Sequence, residues 1–279
     1  MSPEVLKISY TDPNAPKLFE HSLKNSGFAV IKEHPISSLL INDVYRDWST
    51  FFSSDKKQRY LYNEDAQDGY FPYLTENAKG YNTKDLKEFY HIYPWGRMPE
   101  NMASSSLELY DALAKTASTF LSWIQKSTSE NVRKLFTIPL PEMIEDSQSN
   151  LFRIIHYPPI SGEEEKGAIR AAAHEDINLL TVLVAGSQPG LQVMGMDKKW
   201  HDVSCDKGTI VVNSGDMLKM ISNNYYPSTT HRVINPSTSA NLSRYSMPLF
   251  LHPRDEVVLC DEYTAGTYLK ERLEEIGLK

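Results

Sequence analysis

The rhythm of apolar and polar positions changes near the middle of the chain. In the first half apolar residues recur at three- and four-residue spacing, the period of a helix with one buried face. PKLFEHSLKNSG predicts a helix closed by Gly27, and Ile36, Leu39, Leu40, Val44, Trp48 and Phe51 mark the inner face of a second. A third is expected from about Ser105 to Phe136, with a break near Ser127 to Ser129. LKISY and FAVIKEH predict short strands on either side of the first helix. Between the second and third helices, the stretch Asp68 to Gly96 is rich in aromatic residues, and its Gly, Pro and Asn residues fragment any period. It is expected to be irregular, with rings available to line a site or to fill the core.

After Ser149 the pattern becomes one of short apolar runs. LFRIIHY, INLLTVLV, GLQV, TIVVNS, DMLKM, THRVI and RYSMPLF are separated by Gly, Pro, Asn and Ser, as in a sandwich or barrel. TYLKERLEEIG then predicts a closing helix. The expected architecture is α+β: a mainly helical N-terminal region with short strands over residues 1–148, packed on a jelly-roll-like core with a C-terminal helix over residues 149–279.

Candidate chemistry concentrates in the second half. If residues 174–183 are extended, His174 and Asp176 share a face and Glu175 points away. HEDIN is not HExxH, so a helical zinc protease fails on spacing. His231, at the head of a later strand, is the best third ligand; two imidazoles and one carboxylate hold one side of an Fe(II) ion and leave positions open. His156, His201 and His252 compete with it for that role or for structural ones. Thirteen residues on, Arg244 and Ser246 share a strand face, a pairing suited to a carboxylate ligand or to an internal salt bridge. Arg170 has the strand parity of His174 and could meet a substrate carboxylate or a structural one. Lys79, Lys84, Lys87 and Arg97 could favour an acidic metabolite, or simply be solvated.

Composition narrows the partners. The net charge of −7 leaves no basic excess for nucleic-acid binding, and no apolar run has the length of a membrane helix. Cys205 and Cys260 fit neither a disulfide framework nor a metal motif, and the start lacks the apolar core of a secretion signal. A cytoplasmic protein acting on a small molecule is expected, with neither nucleic acid nor membrane as partner.

Several segments, taken in order, resemble a known family. They are SGFAVIKEH, the stretch from Tyr70 to Gly80, DLKE (Asp85 to Glu88), RIIHYPP (Arg153 to Pro159), HED with NLLTVL from His174, GLQV and WHDV. VVNSGD, Tyr225, STTHRV and RYS complete the series. Together they resemble the isopenicillin N synthase-like group of iron(II)/2-oxoglutarate-dependent oxygenases, over nearly the whole chain and most specifically from Tyr157 to Ser246. The resemblance implies a double-stranded β-helix with Fe(II) on His174, Asp176 and His231. It implies that Arg244 and Ser246 take the distal carboxylate of 2-oxoglutarate and that Tyr157 helps hold the cosubstrate. It further implies that O2 and a small molecule are co-substrates, with hydroxylation the default outcome and succinate and CO2 released. Asn213, Gly215 and Asp216 are expected to shape the turn beside the site. Ile155 stands where the family often has Asn, and HPI replaces the usual HGI after the early strand. Two other readings stay open: an iron oxidase of the same group that does without 2-oxoglutarate, and a non-catalytic jelly-roll binding module.

Overall fold

The computed structural model describes residues 4–77, 80, 83–237 and 241–275. Lys79, one of the four basic candidates, lies outside them. In chain order the elements are β1 (Lys7–Ser9), α1 (Ala15–Ser26), β2 (Phe28–Lys32), α2 (Ser38–Phe52), β3 (Gly69–Phe71), β4 (Glu88–Ile92) and α3 (Ala103–Ser127). The short helices α4 (Glu130–Arg133) and α5 (Leu140–Met143) lead to β5 (Leu151–Tyr157), β6 (Ala171–His174), β7 (Leu180–Val184), β8 (Leu191–Met194) and β9 (Trp200–Asp202). Then come β10 (Thr209–Ser214), α6 (Asp216–Ile221), β11 (His231–Val233), β12 (Arg244–Leu251) and α7 (Ala265–Glu275).

The strands form an eight-stranded sheet, in the order β1-β2-β10-β7-β12-β5-β4-β3, and a four-stranded sheet, β6-β11-β8-β9. This is the expected α+β jelly roll. β1 to β4, from the N-terminal region, flank the large sheet at both edges. One face of that sheet carries α1, α2 and α3 over a core that includes Phe19, Trp48, Tyr90, Phe120 and Phe152. The other face meets the small sheet over a second core, with Phe28, Phe89, Ile155, Leu183 and Val211 against Ala171, Leu191, Val193 and Val233. Burial on both faces explains why β7 and β10 are buried throughout and show no alternation.

The helices follow their sequence signals, with local exceptions. α1 has Pro in its first turn and ends at Gly27, whose left-handed φ of 71° is the conformation glycine adopts without strain. The Ser37 side chain accepts from the Leu40 amide at the start of α2. Leu39, expected on its inner face, is 73% exposed, and Ile41 is buried instead. DMLKM, expected as a strand, is helix α6. The Asp216 and Met217 amides donate to the Asp176 and Asn178 carbonyls, which turns the chain into a helix that buries Met217, Leu218 and Ile221. The stretch expected to be irregular contains β3 and β4, which hide their pattern because both faces of EFYHI are covered.

Trp48 is fully buried, donates from Nε1 to Ser106 Oγ at 3.0 Å and packs against Phe51, Phe52 and Tyr90. Trp48→Ala is expected to cost about 3–5 kcal/mol of stability, read from the midpoint of urea unfolding. Burial pushes His252 down to about 4 from its ordinary 6.5. The unfolded chain therefore binds the extra proton first, so this contribution to stability is complete above about pH 6.5 and is lost as pH falls through 4. His252 alone should account for a loss of about 2 kcal/mol between pH 7.5 and pH 5. His252→Gln is expected to flatten the pH dependence of the urea midpoint by that amount; an unchanged slope refutes the assignment.

Candidate active site

His174 ends β6 and His231 begins β11, and these antiparallel neighbours pair the two histidines directly in register. Their ring centroids are 4.4 Å apart. Asp176 lies beyond the end of β6, so strand parity is not what brings it to His174. The chain leaves the small sheet after His174, and the turn through residues 175–179 carries Asp176 inward before β7 begins. Glu175 is exposed and accepts from the Thr230 hydroxyl, away from the interior.

Each of the three groups has one heteroatom occupied and one free. His174 Nδ1 lies 2.8 Å from the Ala172 carbonyl, and His231 Nδ1 lies 3.1 Å from the Thr229 carbonyl. Donation from those N–H groups leaves both Nε2 lone pairs available and fixes the ring orientations. Asp176 Oδ2 accepts from Thr181 Oγ1 at 2.6 Å and from Asn213 Nδ2 at 2.7 Å. Oδ1 lies 3.7 Å from each Nε2, too far for a hydrogen bond and close enough for one ion to touch all three. One donor atom from each residue falls within 4.8 Å of the others, and among the described residues this is the one His/Cys/Asp/Glu cluster able to hold a metal ion.

The electrostatics agree with that geometry. Burial, and then His231, pushes His174 down to about 4, which keeps its imidazole neutral, as a ligand must be. Burial opposes ionisation of Asp176, but His231, His174 and the hydrogen bonds from Thr181 and Asn213 outweigh it and hold the carboxyl below its ordinary value. The donor set, two imidazoles and a carboxylate with one converging atom each, fits Fe(II).

The turn that carries Asp176 has a tight backing. A Cβ on Gly215 would lie 2.2 Å from the Asn178 carbonyl oxygen and 2.8 Å from that of Asp176, so only glycine lets β10 and α6 close on this turn. Asp216 accepts from the Tyr268 hydroxyl at 2.9 Å and ties α7 to the same corner. Asp85 Oδ1 accepts from the Ala172 amide at 2.9 Å, so the DLKE segment braces the strand that bears His174. Thr181 and Asn178 went unrecognised in the sequence; a hydroxyl five residues after an HxD aspartate is the signal that could have found Thr181.

Arg244 and Ser246 are both buried on β12, with Tyr245 on the opposite, partly exposed side. Arg244 pairs in register with Tyr157, and its guanidinium lies 5.2 Å from the centre of the Tyr157 ring. Arg170 is also buried. It stands four residues before His174, about 13 Å along an extended chain. The competing histidines are engaged elsewhere: His156 with Glu88 and Ser243, and His201 with Asp197. Of the remaining basic candidates, Lys84 donates to Thr75 and Asn77, Lys87 pairs with Glu76 and Asp85, and Arg97 pairs with Asp68.

Known proteins resemble this chain in sequence and fold. Residues 148–253 match the 2OG-Fe(II) oxygenase superfamily, and residues 8–110 match the N-terminal region described for a non-haem dioxygenase in morphine synthesis. A candidate oxygenase from Shewanella oneidensis is 46% identical and superposes with a TM-score of 0.89 over 100% of both chains. A probable iron/ascorbate oxidoreductase from Dictyostelium discoideum is 30% identical over 85% of this chain and 75% of its own. The fold is also that of a full-length Neurospora crassa protein crystallised in complex with alpha-KG, at 22% identity and a TM-score of 0.81 over 96% of this chain and 95% of that one. With family matches in both halves, a relative 30% identical over most of both chains and full-length likeness to an oxygenase, the chain belongs to the 2OG-Fe(II) oxygenase superfamily.

Proposed function

We propose that this iron(II)/2-oxoglutarate-dependent dioxygenase hydroxylates a small molecule, with His174, Asp176 and His231 holding the iron and Arg244 and Ser246 taking the distal carboxylate of 2-oxoglutarate. The observation that carries the reading is the division of labour within the triad. Every atom not needed for a metal is tied to the protein, and the three that remain converge. At the other end of the interior, Arg244 Nη1 is buried without a partner among the described residues, as expected of a group that waits for an anion. Bound there, iron and cosubstrate supply the oxidising chemistry, in which O2 and 2-oxoglutarate give succinate, CO2 and an oxygen atom for a substrate C–H bond.

The chain supplies position and exclusion. The Ala172 and Thr229 carbonyls aim the two imidazoles, and Thr181 with Asn213 turns the free oxygen of Asp176 toward them. Tyr157 lies against the Arg244 guanidinium and helps to fix it. Phe28 meets His231 edge-on at 5.4 Å, and Val193, Leu183 and Ile155 belong to the same apolar interior, which limits water around the cosubstrate. Phe71 and Phe89 belong to that core too, so these two rings of the aromatic segment are read as a wall of the substrate space. No protein base is required to remove hydrogen from carbon, and Glu175 has no part in the chemistry. A cytoplasmic setting is supported by two free cysteines and by the finding that no described helix is long and apolar enough to cross a membrane. The net charge of −7 supports a partner other than nucleic acid.

Anaerobic addition of 2-oxoglutarate to the Fe(II)-loaded protein is expected to produce a visible charge-transfer band. His174→Ala and Asp176→Ala should lose the band, iron binding and turnover; wild-type iron affinity in either variant overturns the ligand assignment. Arg244→Ala should leave iron affinity unchanged and raise the 2-oxoglutarate concentration for half-saturation. A lost charge-assisted contact costs about 2–5 kcal/mol, or roughly 30-fold to several thousand-fold. Equal half-saturation in the two proteins refutes the role of Arg244.

A further inference from the structure

Arg170 and Arg244 are each 1% exposed. Arg170 precedes β6, at the end opposite His174, and Arg244 begins β12 beside Gly186, just past the end of β7. Arg170 Nη2 donates to the Leu242 carbonyl at 2.5 Å, two residues from Arg244. Arg244 Nε donates to the Gln188 carbonyl at 3.0 Å. The two side chains thus hold on to neighbouring backbone. Beyond these bonds, Arg170 Nε and Arg244 Nη1 have no hydrogen-bond partner among the described residues, and no carboxylate there forms an ion pair with either group. Two buried cations close enough to feel each other's charge repel, and each has given up its water. Burial, and then Arg244, lowers the proton affinity of Arg170, with Tyr157 opposing. Such a pair is stable in a working protein when an anion joins it.

The position of Arg170 identifies that anion. It lies at the opposite end of β6 from His174, which separates it from the metal-binding atoms and brings it to the Arg244 end. It also borders a cavity of about 1000 Å³, together with Gly186, Leu191 and Val203, that none of the three triad residues lines. A Cβ on Gly186 would lie 2.8 Å from Arg244 Nη2, so this cavity wall is directly behind the Arg244 guanidinium. A substrate that must present a C–H bond beside the triad has its reacting carbon at the other end.

We propose that Arg170 and Arg244 form a two-guanidinium seat for the distal carboxylate of 2-oxoglutarate, so that Arg170 is a second determinant of cosubstrate selectivity. This rests on the cosubstrate reading of the preceding subsection. One carboxylate has four lone-pair directions, enough to accept from both forks. A 2-oxo acid of the same length without the distal carboxylate, 2-oxopentanoate, leaves both guanidiniums uncompensated and is rejected.

The test uses full-length protein loaded with Mn(II), which permits binding without turnover. Calorimetric titration gives the 2-oxoglutarate and 2-oxopentanoate affinities of the wild type, Arg170→Met, Arg170→Lys and Arg244→Ala, and melting is followed without cosubstrate. Arg170→Met is expected to bind 2-oxoglutarate at least 10-fold more weakly, with unchanged Mn(II) affinity and reduced discrimination against 2-oxopentanoate; Arg170→Lys should recover part of the loss. The ligand-free melting temperature of Arg170→Met should be equal or higher, because a repelling charge has gone, whereas a purely structural arginine would leave a less stable protein. If Arg170→Met binds 2-oxoglutarate within 2-fold of wild type while Arg244→Ala does not, the role of Arg170 is overturned and the cosubstrate reading stands. If the wild type itself shows no saturable binding, the cosubstrate reading fails and the proposal with it. Inorganic phosphate that raises the wild-type melting temperature without competing with 2-oxoglutarate would reassign Arg170 to a separate anion site and overturn the proposal.

Discussion

The site depends on how one buried carboxylate is shared. Asp176 gives one oxygen to Thr181 and Asn213 and turns the other toward His174 and His231. A carboxylate that is 7% exposed keeps its charge only when its lone pairs are answered, and here the protein answers one oxygen with hydrogen bonds and faces the other with two imidazoles. That requirement reaches far along the chain. Thr181 stands on β7 and Asn213 on the adjacent β10, so the large sheet must be paired in register before Asp176 can be held. Gly215 must be without a side chain for the same turn to close.

Burial of the large sheet on both faces is the second constraint. Helices α1 to α3 cover one face and free the other to meet the small sheet, which brings β6 and β11 with their histidines opposite β7 and β10. The N-terminal region therefore has a direct share in the site. β2 pairs with β10 and supplies Phe28 against His231, while Asp85, just before β4, braces β6. The interior that results is polar at two places and apolar between them. A carboxylate and two imidazoles stand at one, and two guanidiniums at the other, a distribution complementary to a ligand that chelates a cation at one end and carries negative charge at the other.

The strongest sequence signals came from interactions local in the chain. Gly27 closes α1 because only a residue tolerant of positive φ fits there, and a Gly after an apolar period says so without knowledge of the rest. The spacing of His174, Asp176 and His231, with Arg244 and Ser246 behind them, was enough to nominate a metal and a carboxylate ligand. The failures have a common origin. DMLKM looks like a strand until the Asp176 and Asn178 carbonyls meet its first amides, and EFYHI shows no alternation because neighbours cover both its faces. The parity that placed His174 and Asp176 on one strand face was the wrong mechanism for a correct juxtaposition, since the strand ends at His174.

The sequence by itself determined most of the element types, the jelly-roll class and the candidate residues for a metal and an acid, because periodicity, turn chemistry and donor type are properties of short segments. Only the tertiary structure decided which atoms are free. Whether an imidazole nitrogen, a carboxylate oxygen or a guanidinium N–H is already satisfied depends on groups distant in the chain: Asn213 for Asp176, Leu242 for Arg170 and Gln188 for Arg244. Lys87 and Arg170 look alike in a sequence as basic residues near a candidate site. Folding gives the first two carboxylates and the second none among the described residues, and that difference in partners separates a structural cation from one available to a ligand.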